Sequence, residues 1–286
     1  MNPLKTYYRL TKPGIVYGNI VTTIAGFFFA SKFHGSISVF FGVIAGTALI
    51  IASACVFNNY LDRELDKKMD RTKKRALVTG AVSALNAILF ATILGILGFT
   101  TLTRYTNPIT VLVGLIGFVD YVILYGISKR ASIHGTLIGS ISGATPILAG
   151  YTAVTNRVDV GGIILFLILV LWQMPHFYAI AIYRRNDYKA AKIPVLPVKK
   201  SIKMTKIHIL LYLIAFIIAT MMLSVLKLTG YTYAIIMAIL GGYWLWIDIQ
   251  GFFTKDDTRW ARKLFFVSLI VMISLSIAIP IGTLLP

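Results

Sequence analysis

Nine stretches of about twenty apolar residues, separated by short polar islands, leave this chain few ways to fold. They run roughly over residues 14–32, 37–61, 83–103, 108–127, 133–154, 161–183, 206–226, 231–253 and 261–284. Inside a bilayer every backbone N–H and C=O needs a partner within the protein, and a helix supplies all of them. About 20 residues at 1.5 Å per residue cross the hydrocarbon core. With 57% apolar and 13% charged residues, the chain is far from the balance of a soluble domain. The expectation is an all-α, polytopic membrane protein of nine transmembrane helices, with residues 1–286 forming one integral-membrane domain. The first stretch is too long for the core of a secretory signal. No small-x-small cleavage pattern closes it at Ser31-Lys32, so it counts as a span.

A net charge of +18 invites a nucleic-acid reading, and its distribution argues against one. Of the 28 Lys and Arg, only Lys32, Arg104, Arg157 and Lys227 fall on the side opposite the N-terminus. The others lie in islands around residues 5–12, 63–75, 129–130, 184–206 and 255–263. Cytoplasmic loops carry this kind of excess. The charge therefore reports orientation in a cell membrane: N-terminus cytoplasmic, C-terminus outside, with some attraction to anionic lipid. The single Cys55 has no intrachain disulfide partner and reads as a small apolar filler.

Helices two, four, six and eight then all end at the cytoplasmic face. Helix two ends in an acidic window, Asn58-Asn59-Tyr60-Leu61-Asp62-Arg63-Glu64-Leu65-Asp66-Lys67-Lys68-Met69-Asp70, which holds four of the ten Asp and Glu. Helix four ends at Lys129-Arg130, and helix six at Arg184-Arg185-Asn186-Asp187. Helices two and six each lead into a long polar loop, which hints at a duplicated four-helix unit with two loops facing one another.

Asn58, Asp62, Asp66 and Asp70 recur every four residues. Each step of four advances a helix by about 400°, so Asn58, Asp62 and Asp66 share a face and Asp70 drifts to its edge. Carboxylates at the mouth of a membrane helix are costly without a cation to hold them there. Two of them one turn apart suit Mg²⁺, which takes oxygen ligands and shares substrate phosphates. The basic run Arg71-Thr72-Lys73-Lys74-Arg75 beside them suits a large anion. The plainer reading is a solvated helix end with pairs such as Glu64 to Lys68. It accounts for Glu64, Lys67 and Lys68 and accounts poorly for Asp62 and Asp66.

The run Asn58-Asn59-x-x-Asp62-x-x-x-Asp66, followed by Met69-Asp70-Arg71-Thr72 and Arg75, resembles the signature of the UbiA-type intramembrane prenyltransferases. Asn-Asn at its start is similar to one branch, the protohaem IX farnesyltransferases. Trp172-Gln173-Met174-Pro175-His176-Phe177, then Asp187-Tyr188 and Ile193-Pro194-Val195-Leu196-Pro197, resemble the same branch. So do Gly143-Ala144-x-Pro146 with Gly150, and Lys129-Arg130. The chain departs from the pattern at Ala76, Ile147 and Lys192. Asp187 is followed four residues on by Ala191, so the second loop lacks a second Asp-x-x-x-Asp.

The resemblance implies nine helices around a central cavity open to the cytoplasmic face. It implies transfer of a farnesyl group from farnesyl diphosphate to the vinyl group of haem B, giving haem O. Asp62, Asp66 and Asp70 would hold Mg²⁺, with Asn58 and Asn59 orienting them. Arg71, Lys73, Arg75, Lys129, Arg130 and Asp187 would meet the diphosphate. His176 and Trp172 would serve the haem. Haem-oxidase assembly proteins are implied as partners beside the lipid bilayer. His176 has a bland alternative, a hydrogen bond to a neighbouring helix through Gln173 one turn back. Asp120 and Asp248 lie within helices four and eight, and no motif includes them. Two other functions stay open: a prenyltransferase for a quinone precursor, and a transporter. Transporters mark themselves with broken mid-membrane helices, whereas here the charged motifs gather at one face.

Overall fold

The computed structural model describes residues 3–286. Among these residues there is no strand, and nine helices are long and apolar enough to cross a membrane. They are α1 (Pro13–Ser31), α2 (Ile37–Leu61), α3 (Ala84–Tyr105), α4 (Pro108–Ala131), α5 (Gly135–Thr155), α6 (Val160–Tyr183), α7 (Ile202–Val225), α8 (Tyr231–Gln250) and α9 (Asp257–Ile281). All nine apolar stretches are therefore helices. The ends differ where hydropathy is blind to capping. Helix α7 starts at Ile202 and α9 at Asp257, each earlier than its apolar run, because a polar first turn is capped. Ser201 accepts from the Met204 amide and Asp256 from the Arg259 amide, both at 3.0 Å. Helix α8 stops at Gln250, ahead of a turn that begins at Gly251. Helix α4 carries one π turn, Asp120–Leu124, which no hydropathy pattern announces.

Helix α1 lies along α5, and two glycines set that distance. A Cβ at Gly26 would stand 2.0 Å from the Ile147 carbonyl oxygen, and one at Gly150 would stand 2.0 Å from that of Thr23. Small residues let membrane helices approach closely where lipid supplies no hydrophobic drive. Helix α2 runs along α3, while α6 touches α5, α7 and α9, and α9 returns to α1. Large side chains such as Phe216, Trp244 and Met237 fill the α6–α9 half, whereas Ile93, Ile96, Ile239 and Ile270 face outward.

The two polar loops do face one another. After α2 the chain makes a one-turn helix, Arg63–Asp66, and a series of turns before a second short helix, Ala76–Thr79. After α6 come Arg185–Ala190 and Leu196–Lys199. Met69 from the first loop is buried with Ala191 and Ile193 from the second, with Leu65, Tyr188 and Val195 around them. This apolar contact fixes the acidic loop over the helix ends.

Candidate active site

Helix α2 ends at Leu61, and Asp62 takes up φ −88°, ψ −3° before the short helix that carries Asp66. Asn58, Asn59, Asp62 and Asp66 are all buried, Asp66 with only 2% of its surface exposed. Carboxylates so enclosed need cations, and these come from three other segments. Lys129 of α4 pairs with Asp62, and Arg130 reaches its other oxygen at 3.1 Å. Arg75 pairs with Asp66 at 2.6 Å and donates to Asn59 Oδ1 at 3.2 Å. Lys12, just before α1, donates to Asn58 Oδ1 at 2.8 Å. Asn59 Nδ2 donates to the Leu10 carbonyl at 2.8 Å, and Thr72 Oγ1 to that of Asp66 at 3.0 Å. Asn58 Nδ2 is buried with no partner.

Lys12 was counted from sequence only as an orientation charge. A cation at a helix N-terminus opposes the helix dipole, so its place directly before Pro13 was a signal that something else held it. Burial pushes its ammonium down to about 8, the Arg75 and Lys129 charges push the same way, and Asp62 opposes them. Two tyrosines were also missed. Tyr121 and Tyr125, at the π turn of α4, stack at 5.7 Å and 21°. The Lys12 ammonium sits 5.9 Å over the Tyr121 ring, and that of Lys129 sits 4.8 Å over Tyr125.

The helical face holds as far as Asp66 and fails beyond it. Asp70 lies in the turns after the short helix, with its side chain 86% exposed and paired to Lys73 at 2.6 Å. That hydrogen bond holds the Asp70 carboxyl below the usual range. Asp70 is thus not brought to Asp62 and Asp66, and Lys73 is spent on Asp70. The step of four cannot carry through a chain that has left the helix. Glu64 pairs with Lys67 at 2.9 Å, as its off-face position requires. Arg71 is exposed at the rim, and its charge reaches Tyr188 of the second loop. Burial pushes that phenol up, and Arg71 opposes the shift. Asp187 stands 3.9 Å from Arg184 and makes no ion pair with the first loop's cations among the described residues.

Two carboxylates face four cations, so the site has surplus positive charge and favours an anion. The available metal ligands are all oxygens. No group of three or more His, Cys, Asp or Glu gathers among the described residues. An ion here would complete its shell from phosphate and water, which fits Mg²⁺ and not zinc.

His176 and Trp172 of α6 face α9. His176 Nδ1 lies 2.7 Å from Ser268 Oγ, and Trp172 Nε1 donates to the Ser268 carbonyl at 2.9 Å. The two rings stack at 4.8 Å. The hydrogen bond to a neighbouring helix exists, but through Ser268. Gln173 is instead spent on the Ser140 and Leu169 carbonyls, both at 3.0 Å. Asp120 accepts from the Ser142 amide at 3.0 Å, and Asp248 is buried with both oxygens unpartnered.

A family model described as the UbiA prenyltransferase family matches residues 19–270. The chain belongs to that family. Among relatives in the UbiA family, protoheme IX farnesyltransferase of Pseudomonas savastanoi pv. phaseolicola is 50% identical over 275 residues, 96% of this chain and 93% of the relative. That of Enterobacter sp. strain 638 is 48% identical over 283 residues, 99% and 96% of the two chains. Solved structures share the fold. A digeranylgeranylglyceryl phosphate synthase superposes with a TM-score of 0.82 at 22% identity, covering 99% of both chains. A UbiA homolog from Archaeoglobus fulgidus bound to GPP and Mg²⁺ gives 0.71 at 14% identity, covering 96% of this chain and 99% of that one. The protein is a multi-pass membrane enzyme of prenyl transfer.

Proposed function

We propose that this protein transfers the farnesyl group of farnesyl diphosphate to a vinyl group of protohaem IX, giving haem O and diphosphate. The observation that carries the reading is the buried Asp62 and Asp66 pair ringed by Lys12, Arg75, Lys129 and Arg130. The full-length relatives named protoheme IX farnesyltransferase support haem as the acceptor. A ring of cations around oxygen ligands is what a metal diphosphate needs; it serves any prenyl-diphosphate donor, gives a transported solute no special advantage, and leaves the choice of haem over a quinone precursor to those relatives.

Asp62 and Asp66 would hold Mg²⁺, which supplies charge neutralisation to the departing diphosphate. Lys12, Arg75, Lys129 and Arg130 hold phosphate oxygens from the helix ends, and Arg71 meets them from the rim. Asn58 and Asn59 tie Lys12 and Arg75 to the acidic face. As the allylic C–O bond breaks, its electron pair leaves with the diphosphate. The vinyl π pair of the haem forms the new C–C bond to the allylic carbon. Water adds to the cation left on the haem side chain and loses a proton, leaving a hydroxyl. The transfer takes place in a water-poor cavity opening at the cytoplasmic ends of the even-numbered helices, which protects the cation before the vinyl group reaches it. Asp70 and Lys73 stand outside this scheme because they pair with each other in the open. His176 and Trp172 form the haem side, and His176 Nε2 makes no hydrogen bond to protein among the described residues.

The test is to incubate the full chain in lipid vesicles with haem B, farnesyl diphosphate and Mg²⁺ and to weigh the haem product. A farnesylated, hydroxylated haem is expected. Unmodified haem alongside prenylation of a hydroxybenzoate acceptor would reject haem as substrate. Absence of diphosphate release with either acceptor would reject the enzyme reading.

A further inference from the structure

The site above uses Lys12 and the cations of the first loop and α4. Another set, at the cytoplasmic ends of α6 and α9, has no role in it. These two helices lie side by side, and a continuous aromatic path runs along their contact. Trp172 stacks on His176, and Phe265 of α9 lies 4.8 Å from the His176 ring. Phe265 in turn lies 5.8 Å from Tyr183. Tyr183 is seven residues beyond His176, which in a helix is nearly two full turns, so both sit on one face about 10 Å apart.

The path ends on two guanidiniums. Arg184 lies 5.5 Å and Arg262 lies 5.9 Å from the centre of the Tyr183 ring. Both are at the surface end of the path. Arg262 enters no ion pair or hydrogen bond among the described residues, and Arg184 has only the 3.9 Å contact with Asp187. The next residue on α9, Lys263, leans the other way, over Trp246 of α8 at 5.7 Å. Arg262 is therefore the cation of α9 turned towards the His176 side. A planar, unpaired guanidinium held on an aromatic face is preset to take a carboxylate with two parallel N–H donors.

The ligand that fits is flat and apolar over most of its area and carries two carboxylates on one edge. A porphyrin dicarboxylate has this shape. Resting on the haem reading given above, we propose that Arg262 and Arg184 hold the two propionates of haem. They would anchor that edge of the macrocycle at the cytoplasmic end of the α6–α9 path while its ring lies against His176 and Phe265. The two arginines thereby select an acidic porphyrin over a neutral one.

Haem B and its dimethyl ester share the macrocycle and differ at the two propionates, each charge being replaced by a methyl ester, and they separate the clamp from the function. Each is titrated, by its absorption bands, into the full chain in neutral-lipid vesicles. The wild type is expected to bind haem B about tenfold or more tightly than the diester. Arg262→Gln and Arg184→Gln should each erode that preference, and the double variant should abolish it, by weakening haem B alone. Arg262→Lys, which keeps the charge and loses the fork, should fall between. Farnesyl diphosphate affinity should be unchanged in all of them, which also reports an intact fold. Equal wild-type affinity for acid and ester, or a full preference kept by the double variant, overturns the clamp and leaves haem farnesylation standing. A wild type that binds neither porphyrin overturns the haem reading and the clamp with it.

Discussion

Replacing Lys12 tests whether the site was assembled as described, because nothing local to the acidic motif contains it. Lys12→Gln removes a charge that donates to Asn58 at 2.8 Å and sits over Tyr121. A hydrogen bond involving a charged group is worth roughly 1.5–3 kcal/mol, so kcat/KM for farnesyl diphosphate should fall about ten- to a hundredfold. Burial holds the Lys12 pKa at about 8, so the wild type loses this charge as pH rises. Its kcat/KM, which reports the free enzyme, should decline above about pH 8. Bound diphosphate favours the charged form, so the decline in kcat should lie higher. Lys12→Arg keeps its charge, and its kcat/KM should stay flat through that range. Stability should move the other way. Above pH 8 the folded state releases a proton that the unfolded chain still binds, so stability rises between about pH 8 and 10.5, by up to about 3 kcal/mol. Initial rates with a fixed haem concentration, paired with thermal unfolding across the same pH values, make the measurement. An alkaline limb near pH 8 that persists in Lys12→Arg, or a kcat/KM within twofold of wild type in Lys12→Gln, would refute the placement of Lys12 in the site.

Asp62→Asn and Asp66→Asn should each lower turnover by about a hundredfold or more, while Glu64→Gln and Asp70→Asn stay within about twofold; equal losses in all four would sink the geometry of the acidic face. His176→Ala should shift or abolish the bound-haem absorption bands and leave farnesyl diphosphate binding intact, and an unchanged spectrum with unchanged haem prenylation would remove His176 from the haem side. A cysteine placed at Lys74 should react with an impermeant thiol reagent only from the cytoplasmic face, and one at Arg157 only from outside. Labelling of both from one face would contradict the nine-span orientation.

The acceptor side shows where sequence reading stops. Trp172 and His176 stood out in the sequence, but their partner Ser268 lies 92 residues beyond His176, and only the approach of α9 to α6 brings it there. The same holds for Arg262, which in the sequence is one basic residue among several. The choice between Arg262 towards Tyr183 and Lys263 towards Trp246 depends on which neighbour each side of α9 meets.

What the sequence determined by itself were the properties that depend on one helix at a time. Bilayer thickness sets the length of an apolar span, so all nine helices could be counted without knowing how they meet. The helical period put Asn58, Asp62 and Asp66 on one face, because three residues a turn apart need no neighbour to be aligned. That period misled at Asp70, where the chain turns after Asp66 so that Met69 can bury itself against Ala191 and Ile193 of the other loop. Arg75, Lys129 and Arg130 were expected from the family resemblance, whereas tertiary structure alone added Lys12 and decided which buried group each cation meets. Lys12, Arg75 and the Lys129-Arg130 pair come from three separate segments, and each is held by a buried carboxylate or amide whose desolvation no local pattern records.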